Sequence, residues 1–180
     1  ITGGSRGIGY ATAELFASRG WNVALCARDG GKAAAAAASI AKSTGNKNLL
    51  GVAADMGDAQ AIARFFEQAA RRFPALDALV NNAAILHTGG AFGLSDGAFE
   101  EMMRINVGGV MHACRQAFAR MKERGGSIVN ISSLAGIQGT DKIPGLWGYT
   151  TSKFAGTGLT EGLAVEGRPY HIRVNCVAPG

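Results

Sequence analysis

An uninterrupted alternation of short apolar segments with longer segments of helical periodicity constrains the fold more than any other feature. Apolar runs bounded by turn residues predict buried strands at 21–27, 49–53, 76–81, 127–131 and 171–178. Helical spacing of apolar residues predicts helices at 8–18, 32–44, 58–73, 96–124 and 149–167. Repeated strand–helix units predict a doubly wound parallel α/β sheet with helices on both faces, in one domain spanning residues 1–180.

Local signals refine three of these helices. Gly45 is the expected stop of helix 32–44, and Asp58 is the expected cap of helix 58–73. The pair Gly108 and Gly109 is a candidate break in helix 96–124. The alanine run 33–38 predicts a solvated helix, because alanine is the best helix former.

Composition and charge argue against several functional classes. Apolar residues make up 47% of the 180, which is typical of a globular domain, and no apolar run approaches the roughly 18 residues of a membrane helix. The net charge of +5 is spread along the chain, so we expect neither a nucleic acid nor a membrane as partner. Cysteines and histidines are too scattered for a disulfide framework or a metal site, and free thiols favour a cytoplasmic location.

Several segments with chemical potential each follow a predicted strand, where ligands bind in sheets of this kind. These segments are 3–9, 27–28, 55–56, 81–84, 132–133 and 179–180. In the first of them, Gly3, Gly4 and Gly7 lead into a predicted helix and Gly9 lies in its first turn, so backbone amides and the helix dipole could hold a phosphate. A glycine-rich turn without a ligand remains the alternative.

Tyr149 and Lys153 lie at i and i+4 near the start of a predicted helix, so they share one face. A phenol has a pKa of about 10 and is a poor base at neutral pH. In a partly desolvated pocket with a cationic cofactor ring nearby, we expect the Lys153 ammonium to help lower the pKa of Tyr149 by about two to three, because an opposite charge favours the ionised form. Tyr149 would then exchange a proton with an alcohol or ketone oxygen. The alternative is a surface pair on an amphipathic helix.

Three further polar residues are candidates for the same site. Ser132 and Ser133 end a predicted strand, where a hydroxyl could hydrogen-bond a reacting oxygen, although ordinary turn chemistry explains them equally well. Asn106 lies inside a predicted helix, where asparagine is mildly unfavourable. Its buried amide could hold a water that links Lys153 to solvent, or it could bend the helix through a local hydrogen bond.

Six motifs then follow one another along the whole chain: TGGSRGIG at 2–9, NNAA at 81–84, Asn106, NISS at 130–133, YTTSK at 149–153 and RVNCVAPG at 173–180. In this order and spacing they resemble the short-chain dehydrogenase/reductase family, with a 3-oxoacyl-reductase-like pattern. The resemblance implies a Rossmann-type fold and a nicotinamide-dependent oxidoreductase that interconverts a carbonyl and a secondary alcohol. Ala84 departs from the usual N-N-A-G motif, which we interpret as a packing adjustment.

The resemblance also implies residue roles. Tyr149 would be the general acid/base, Lys153 its pKa partner and a ligand of the nicotinamide ribose, Ser133 the carbonyl-polarising hydroxyl and Asn106 a member of the proton relay. The expected cofactor-binding residues are Gly3, Ser5, Arg6, Gly7, Ile8, Gly9, Arg28, Asp55, Met56, Asn82, Ala83, Tyr149, Lys153, Pro179 and Gly180. The segment before Tyr149 is slightly longer than usual, which makes Trp147 a candidate pocket wall.

Arginines near the second strand bear on which nicotinamide cofactor binds. A site for the unphosphorylated form places a carboxylate at the end of that strand, where this chain has Ala27. Arg28 comes next and suits a 2′-phosphate, and Arg6 could reach the same group from the glycine loop. Asp29 is the competing carboxylate. Two arginines favour NADP(H) over NAD(H).

The resemblance carries two further expectations. Relatives have a strand before Thr-Gly and more chain after Pro-Gly, so we expect a fragment that lacks the start of the first strand and the last edge strand, and that is aggregation-prone and inactive alone. Relatives associate through helices corresponding to 96–124 and 149–167, so we expect a homodimer or homotetramer of the complete protein.

Three other functions remain open at this point. A catalytically silent dinucleotide sensor or scaffold would not need Ser133, Tyr149 and Lys153 together. An enoyl reductase relative would place the tyrosine and lysine further apart. A nucleic-acid-binding domain would show a steep dependence of binding on salt.

Overall fold

The computed structural model describes all residues, 1–180, and contains five parallel strands. They are β1 (Val23–Ala27), β2 (Leu49–Ala53), β3 (Ala78–Asn81), β4 (Gly126–Ile131) and β5 (Ile172–Val177). β2 pairs with β1, and β3 pairs with β4, which pairs with β5. Thr2 lies between these two groups and forms parallel bridges with Cys26 of β1 and Asn81 of β3. The predicted parallel Rossmann-type sheet is confirmed.

Six α-helices connect the strands. They are α1 (Gly7–Ser18), α2 (Gly30–Thr44), α3 (Ala59–Arg72), α4 (Asp96–Met103), α5 (Val110–Met121) and α6 (Trp147–Gly167). Two short 3₁₀ turns, Leu134–Gly136 and Arg168–Tyr170, precede and follow α6. Gly45 ends α2 in the left-handed conformation with φ of 74°, and the Asp58 carboxylate accepts a hydrogen bond from the Gln60 amide at the start of α3, as expected.

Three sequence-based predictions require correction. β1 begins at Val23, because Trp21 instead packs its ring edge-on against Phe16 at a centroid distance of 5.1 Å. β3 begins at Ala78, two residues later than predicted. Helix 96–124 does not break at its glycine pair, since α4 continues through a π-helical segment (Arg104–Gly109) into α5.

The core has two layers, one on each face of the sheet. α1 and α2 cover Val23 and Leu25 of β1 on one face, and α3, α5 and α6 cover Leu79 and Ile128 on the other. The alanine run of α2 is only half solvated, because Ala33, Ala36 and Ala37 are buried against α1 and β1 while the other three alanines are exposed as predicted. Small side chains let α2 approach the sheet closely. Helices on both faces therefore confirm the doubly wound arrangement.

Ile62 of α3 tests the packing of the larger layer. Its side chain is fully buried, so Ile62→Val removes one methylene from a close-packed site and is expected to lower the free energy of unfolding by about 1 kcal/mol. The same substitution at Ile143, which is 67% exposed, is expected to change it by less than about 0.5 kcal/mol. Urea denaturation of both variants checks this, and equal effects would contradict the assigned core.

Candidate active site

The glycine loop is fastened to the segment that follows β3. The Asn82 side-chain amide donates to the backbone oxygens of Thr2 and Gly3 at 3.1 and 3.0 Å, and the Thr2 hydroxyl accepts from the amides of Asn82 and Ala83, both at 3.1 Å. Gly3 has a φ of 65°, and a Cβ at Gly9 would lie 2.4 Å from the Gly3 oxygen. Both positions therefore require glycine, one for its conformation and one for close approach.

The amino terminus of α1 has the properties of an anion site. Arg6 occupies the cap position, and its side chain makes no capping hydrogen bond. The backbone amides of Gly7, Ile8 and Gly9 have no acceptor in the protein, and Ile8 is exposed beside them. These free donors at the positive end of a 12-residue helix fit a dinucleotide pyrophosphate.

The ends of β1 and β2 lie side by side, joined by a hydrogen bond from the Ala54 amide to the Ala27 oxygen at 2.9 Å. Arg28 is exposed here, and neither it nor Arg6 takes part in an ion pair. Asp29 is committed to α2, where its carboxylate accepts from the Lys32 amide at 3.0 Å. The charge left unpaired beside β1 is therefore positive.

The predicted pair after β2 is divided between surface and core. The Asp55 carboxylate is exposed and accepts from the Gly57 amide at 2.8 Å. Met56 is only 5% exposed, with its side chain in the core, so its backbone amide is the group that it can offer to a ligand. The sequence motif indicated a contacting pair without separating these two kinds of contact.

The two serines after β4 point to different partners. Ser132 is buried, and its hydroxyl lies 3.3 Å from the Lys153 oxygen and from the Thr157 hydroxyl of α6. Ser133 caps the following turn by accepting from the Ala135 amide at 3.1 Å, and it also interacts with the hydroxyl of Tyr149. Of the two serines, Ser133 is the one that faces the candidate acid/base.

Tyr149 and Lys153 lie close together in the first turns of α6, and burial shifts the pKa of both side chains. Burial raises the pKa of Tyr149, and the hydrogen bond with Ser133 only partly opposes this. The Lys153 ammonium donates to the Ile131 oxygen at 2.9 Å and lies 5.5 Å from the centre of the Tyr149 ring. Burial also lowers the pKa of Lys153. Burial therefore outweighs the other influences on Tyr149 in the protein alone, and the lowering expected from Lys153 together with a cationic cofactor ring stays a prediction.

Asn106 lies in the π-helical segment and is 5% exposed. Its amide oxygen accepts from the Ile85 amide at 2.9 Å, and its amide nitrogen donates to the Ile85 oxygen at 2.9 Å and to the Ser152 hydroxyl at 3.0 Å. Both amide hydrogens are therefore used within the protein. The expectation that Asn106 holds a relay water stays a prediction, and the amide oxygen and the backbone are the groups left to contact such a water.

Two segments lie near Tyr149 and Ser133 in the structure. Trp147 stacks on Phe99 at 5.4 Å and donates to the Gly90 oxygen at 3.3 Å, so it joins α6 to the loop after β3. His87 in that loop lies 2.8 Å from the Glu101 carboxylate. Near Ser133, the Leu134 amide donates to the Pro179 oxygen at 3.0 Å and the Leu134 side chain lies beside Gly180, which places the last motif at the same edge.

An apolar cavity of the protein lies away from these residues. It has a volume of about 250 Å³ and is lined at the opposite edge of the sheet by side chains that include Phe16, Trp21, Phe66 and Leu76. The candidate residues instead lie along the edge of the sheet formed by the carboxyl ends of the strands. They are the glycine loop, Arg6, Arg28, Ser133, Tyr149 and Lys153. We assign the candidate site to that edge, because the polar groups able to do chemistry are there.

Comparison with known proteins agrees with this arrangement. The family model described as short chain dehydrogenase matches residues 1–180. The chain belongs to the short-chain dehydrogenase family. No helix of this short-chain dehydrogenase is both long and apolar enough to span a membrane.

Characterised relatives differ in their substrates. The chain is 36% identical to the 3-oxoacyl-(acyl-carrier-protein) reductase FabG of Aquifex aeolicus and 35% identical to a 3alpha-hydroxysteroid dehydrogenase of Mediterraneibacter gnavus. Each match covers all of this chain and 71% of the relative. The crystal structure of levodione reductase superimposes with a TM-score of 0.93 at 31% identity, covering 100% of this chain and 69% of that one.

Family membership establishes the general chemistry of this short-chain dehydrogenase, which is nicotinamide-dependent oxidation and reduction at carbonyl and alcohol groups. Sequence reasoning missed two residues that hold the site together, Thr2 and Ser152. Thr2 is the first residue of the glycine-rich motif, and its role depends on a contact with Asn82 and Ala83, which are distant in sequence. Ser152 lay between Tyr149 and Lys153, and its burial on the inner side of α6 has no signature in the sequence.

Proposed function

We propose that the protein is an NADP(H)-dependent carbonyl reductase of the short-chain dehydrogenase family, with one dinucleotide-binding and catalytic domain over residues 1–180. The observation that carries the proposal is that Ser133, Tyr149 and Lys153 lie together at the edge of the sheet that also carries a glycine loop with free backbone amides. A sensor or scaffold of the same fold would gain nothing from a half-buried phenol that faces a serine hydroxyl.

In the proposed reaction the nicotinamide, when bound, supplies a hydride to the carbonyl carbon. Ser133 donates a hydrogen bond to the carbonyl oxygen and stabilises the negative charge that develops there. Tyr149 donates the proton that completes the alcohol. Because burial raises the pKa of Tyr149, its hydroxyl is protonated at neutral pH, which is the state that carbonyl reduction requires.

Lys153 has a positioning and electrostatic role in this proposal. Its ammonium is anchored on the Ile131 oxygen and lies over the face of the Tyr149 ring. From there it stabilises the negative charge that remains on Tyr149 after proton transfer, because opposite charges attract strongly where water is partly excluded. The same ammonium is in place to donate to a ribose hydroxyl of the cofactor.

The other proposed cofactor contacts follow from the unpaired groups along the carboxyl edge. The pyrophosphate would rest on the amides of Gly7, Ile8 and Gly9, and Gly3 and Ser5 complete the loop around it. Asp55 and the Met56 amide suit an adenine ring, which carries both hydrogen-bond donors and acceptors. Asn82, Ala83, Pro179 and Gly180 would border the nicotinamide end.

The preference for NADP(H) rests on charge at the end of β1. Arg28 is exposed and has no ion-pair partner. Arg6, at the cap of α1, is also exposed and also has no ion-pair partner. The competing carboxylate of Asp29 is engaged in capping α2. An unpaired guanidinium beside the expected adenosine ribose favours a 2′-phosphate over a free hydroxyl.

A carbonyl panel tests the proposed activity in the full-length protein. The panel contains 3-oxoacyl thioesters, steroid ketones, sugars and simple ketones, each assayed with NADPH and with NADH. We expect NADPH-dependent reduction of at least one class. Tight NADPH binding with no turnover of any member would favour the sensor or scaffold instead.

We further propose a homodimer or homotetramer formed through α4, α5 and α6, in a cytoplasmic protein whose three cysteines are free. Gly156, Gly158 and Gly162 of α6 each have open space where a Cβ would lie, so a second helix could approach closely. Light scattering of the full-length protein at micromolar concentration should give the mass of two or four chains. A monomer alone would refute this proposal.

A further inference from the structure

The π-helical segment contacts the loops that follow two different strands. Arg104 donates to the Gly57 oxygen at 2.7 Å, and Gly109 lies so close to Met56 that a Cβ would be 2.4 Å from the Met56 oxygen. Both contacts reach the loop after β2. The paired hydrogen bonds between Asn106 and Ile85 reach the loop after β3. The segment therefore joins two walls of the expected cofactor site.

One hydroxyl joins this segment to the turn that carries Tyr149. The Ser152 side chain is fully buried. Its hydroxyl accepts a hydrogen bond from the Asn106 amide nitrogen at 3.0 Å and donates one to the backbone carbonyl oxygen of Tyr149 at 2.8 Å. A continuous chain of hydrogen bonds thus runs from Ile85 through Asn106 and Ser152 to the backbone of Tyr149. No other side-chain hydrogen bond reaches the Tyr149 backbone.

We propose that Ser152 is a positioning residue for catalysis, which couples the orientation of Tyr149 to the walls of the cofactor site through Asn106. The inference rests on the proposed function of Tyr149 as the proton donor. A hydroxyl suits this position because it accepts and donates at the same time. Proton transfer depends on the position of Tyr149 within fractions of an ångström, so a loose turn would slow the reaction without weakening binding.

Ser152→Ala isolates this role. Alanine keeps the helix, because it is the best helix former, and it leaves only a small void. It also leaves one buried hydrogen of the Asn106 amide without an acceptor and removes the tie to the Tyr149 backbone. The variant should therefore fold, with Asn106 and the first turn of α6 less fixed.

The chain offers a matched control on the same helix. Thr160 is buried, donates to the Gly156 oxygen at 2.8 Å and accepts from the Asn130 amide nitrogen at 2.9 Å, so its hydroxyl makes the same two kinds of hydrogen bond. It lies about three turns beyond Tyr149. Thr160→Val keeps the shape and removes the same chemistry, so a general loss of helix packing would affect both variants alike.

The test compares the two variants in the full-length protein with NADPH and the best substrate of the carbonyl panel. For Ser152→Ala we expect kcat to fall at least about tenfold, with the substrate KM and the NADPH Kd within about twofold of wild type. The solvent deuterium isotope effect on kcat should rise, because proton transfer becomes more rate-limiting. Thr160→Val should leave kcat and the isotope effect within about twofold of wild type.

Equal losses of kcat in the two variants, or a loss in KM alone, would overturn the proposal. So would an unchanged isotope effect in Ser152→Ala. If the wild type and Tyr149→Phe behave as proposed while Ser152→Ala matches Thr160→Val, only the positioning role fails. If the wild type turns over no carbonyl, the proposed function fails, and this inference fails with it.

Discussion

Tyr149→Phe is expected to lower kcat for carbonyl reduction by at least about 100-fold, the lower end of what positioned acid–base groups contribute. The substitution removes the transferable proton and keeps the ring that packs beneath the Lys153 ammonium. Binding of NADPH should persist, because the glycine loop and Arg28 are untouched. Steady-state kinetics and a binding titration of the full-length protein measure the two effects separately.

Tyr170 provides the matched control for this substitution. It is 46% exposed in the turn after α6, far along the helix from the candidate site, so Tyr170→Phe should leave kcat unchanged. Near wild-type turnover in Tyr149→Phe would remove the proposed proton donor. A comparable loss in both variants would show that the effect is not one of catalysis.

Arg28→Ala is expected to weaken NADPH binding by about ten- to hundredfold and to leave NADH binding nearly unchanged, because a charge-assisted hydrogen bond to the 2′-phosphate is lost. Arg6 could reach the same phosphate from the glycine loop, so the variant should keep part of its preference for NADPH. Titration of the full-length protein with each cofactor, followed by tryptophan fluorescence, measures the change in selectivity.

Arg19→Ala is the control for a general effect of positive charge, because Arg19 is exposed at the carboxyl end of α1 and away from the carboxyl edge of the sheet. It should change neither affinity. Equal kcat/KM for NADPH and NADH in the wild type would contradict the assignment. A preference for NADH that disappears in Asp29→Ala would assign the ribose to the carboxylate instead.

Periodicity predicted most of the fold, because each strand and helix carries its own local signal. The stop at Gly45 and the cap at Asp58 are set by backbone conformation and a side-chain oxygen within three residues, so they are visible in sequence. The burial of half of the alanine run in α2 was not predicted. Alanine is compatible with solvent and with close packing, and only the neighbouring α1 and β1 decide between them.

The site was predictable as a set of residues and less so as a set of interactions. The spacing of Tyr149 and Lys153 correctly predicted adjacent side chains. It did not reveal that the Ile131 oxygen, 22 positions away in sequence, holds the ammonium over the ring. The sequence also predicted that the Asn106 amide holds a water. It could not show that this amide bonds to Ile85 and Ser152, because both partners are distant in sequence. Long-range hydrogen bonds determine what these groups have left to offer.

Transfer of deuterium from the cofactor to the product tests the central claim most directly. The full-length protein is incubated with a ketone that it reduces in the carbonyl panel and with NADPH that carries deuterium at the transferable position of the nicotinamide. The alcohol product is then analysed by mass spectrometry. The account predicts one deuterium on the carbinol carbon, and a rate that collapses in Tyr149→Phe. Alcohol formed without deuterium from either face of the nicotinamide, or formed at the same rate in Tyr149→Phe, would contradict it.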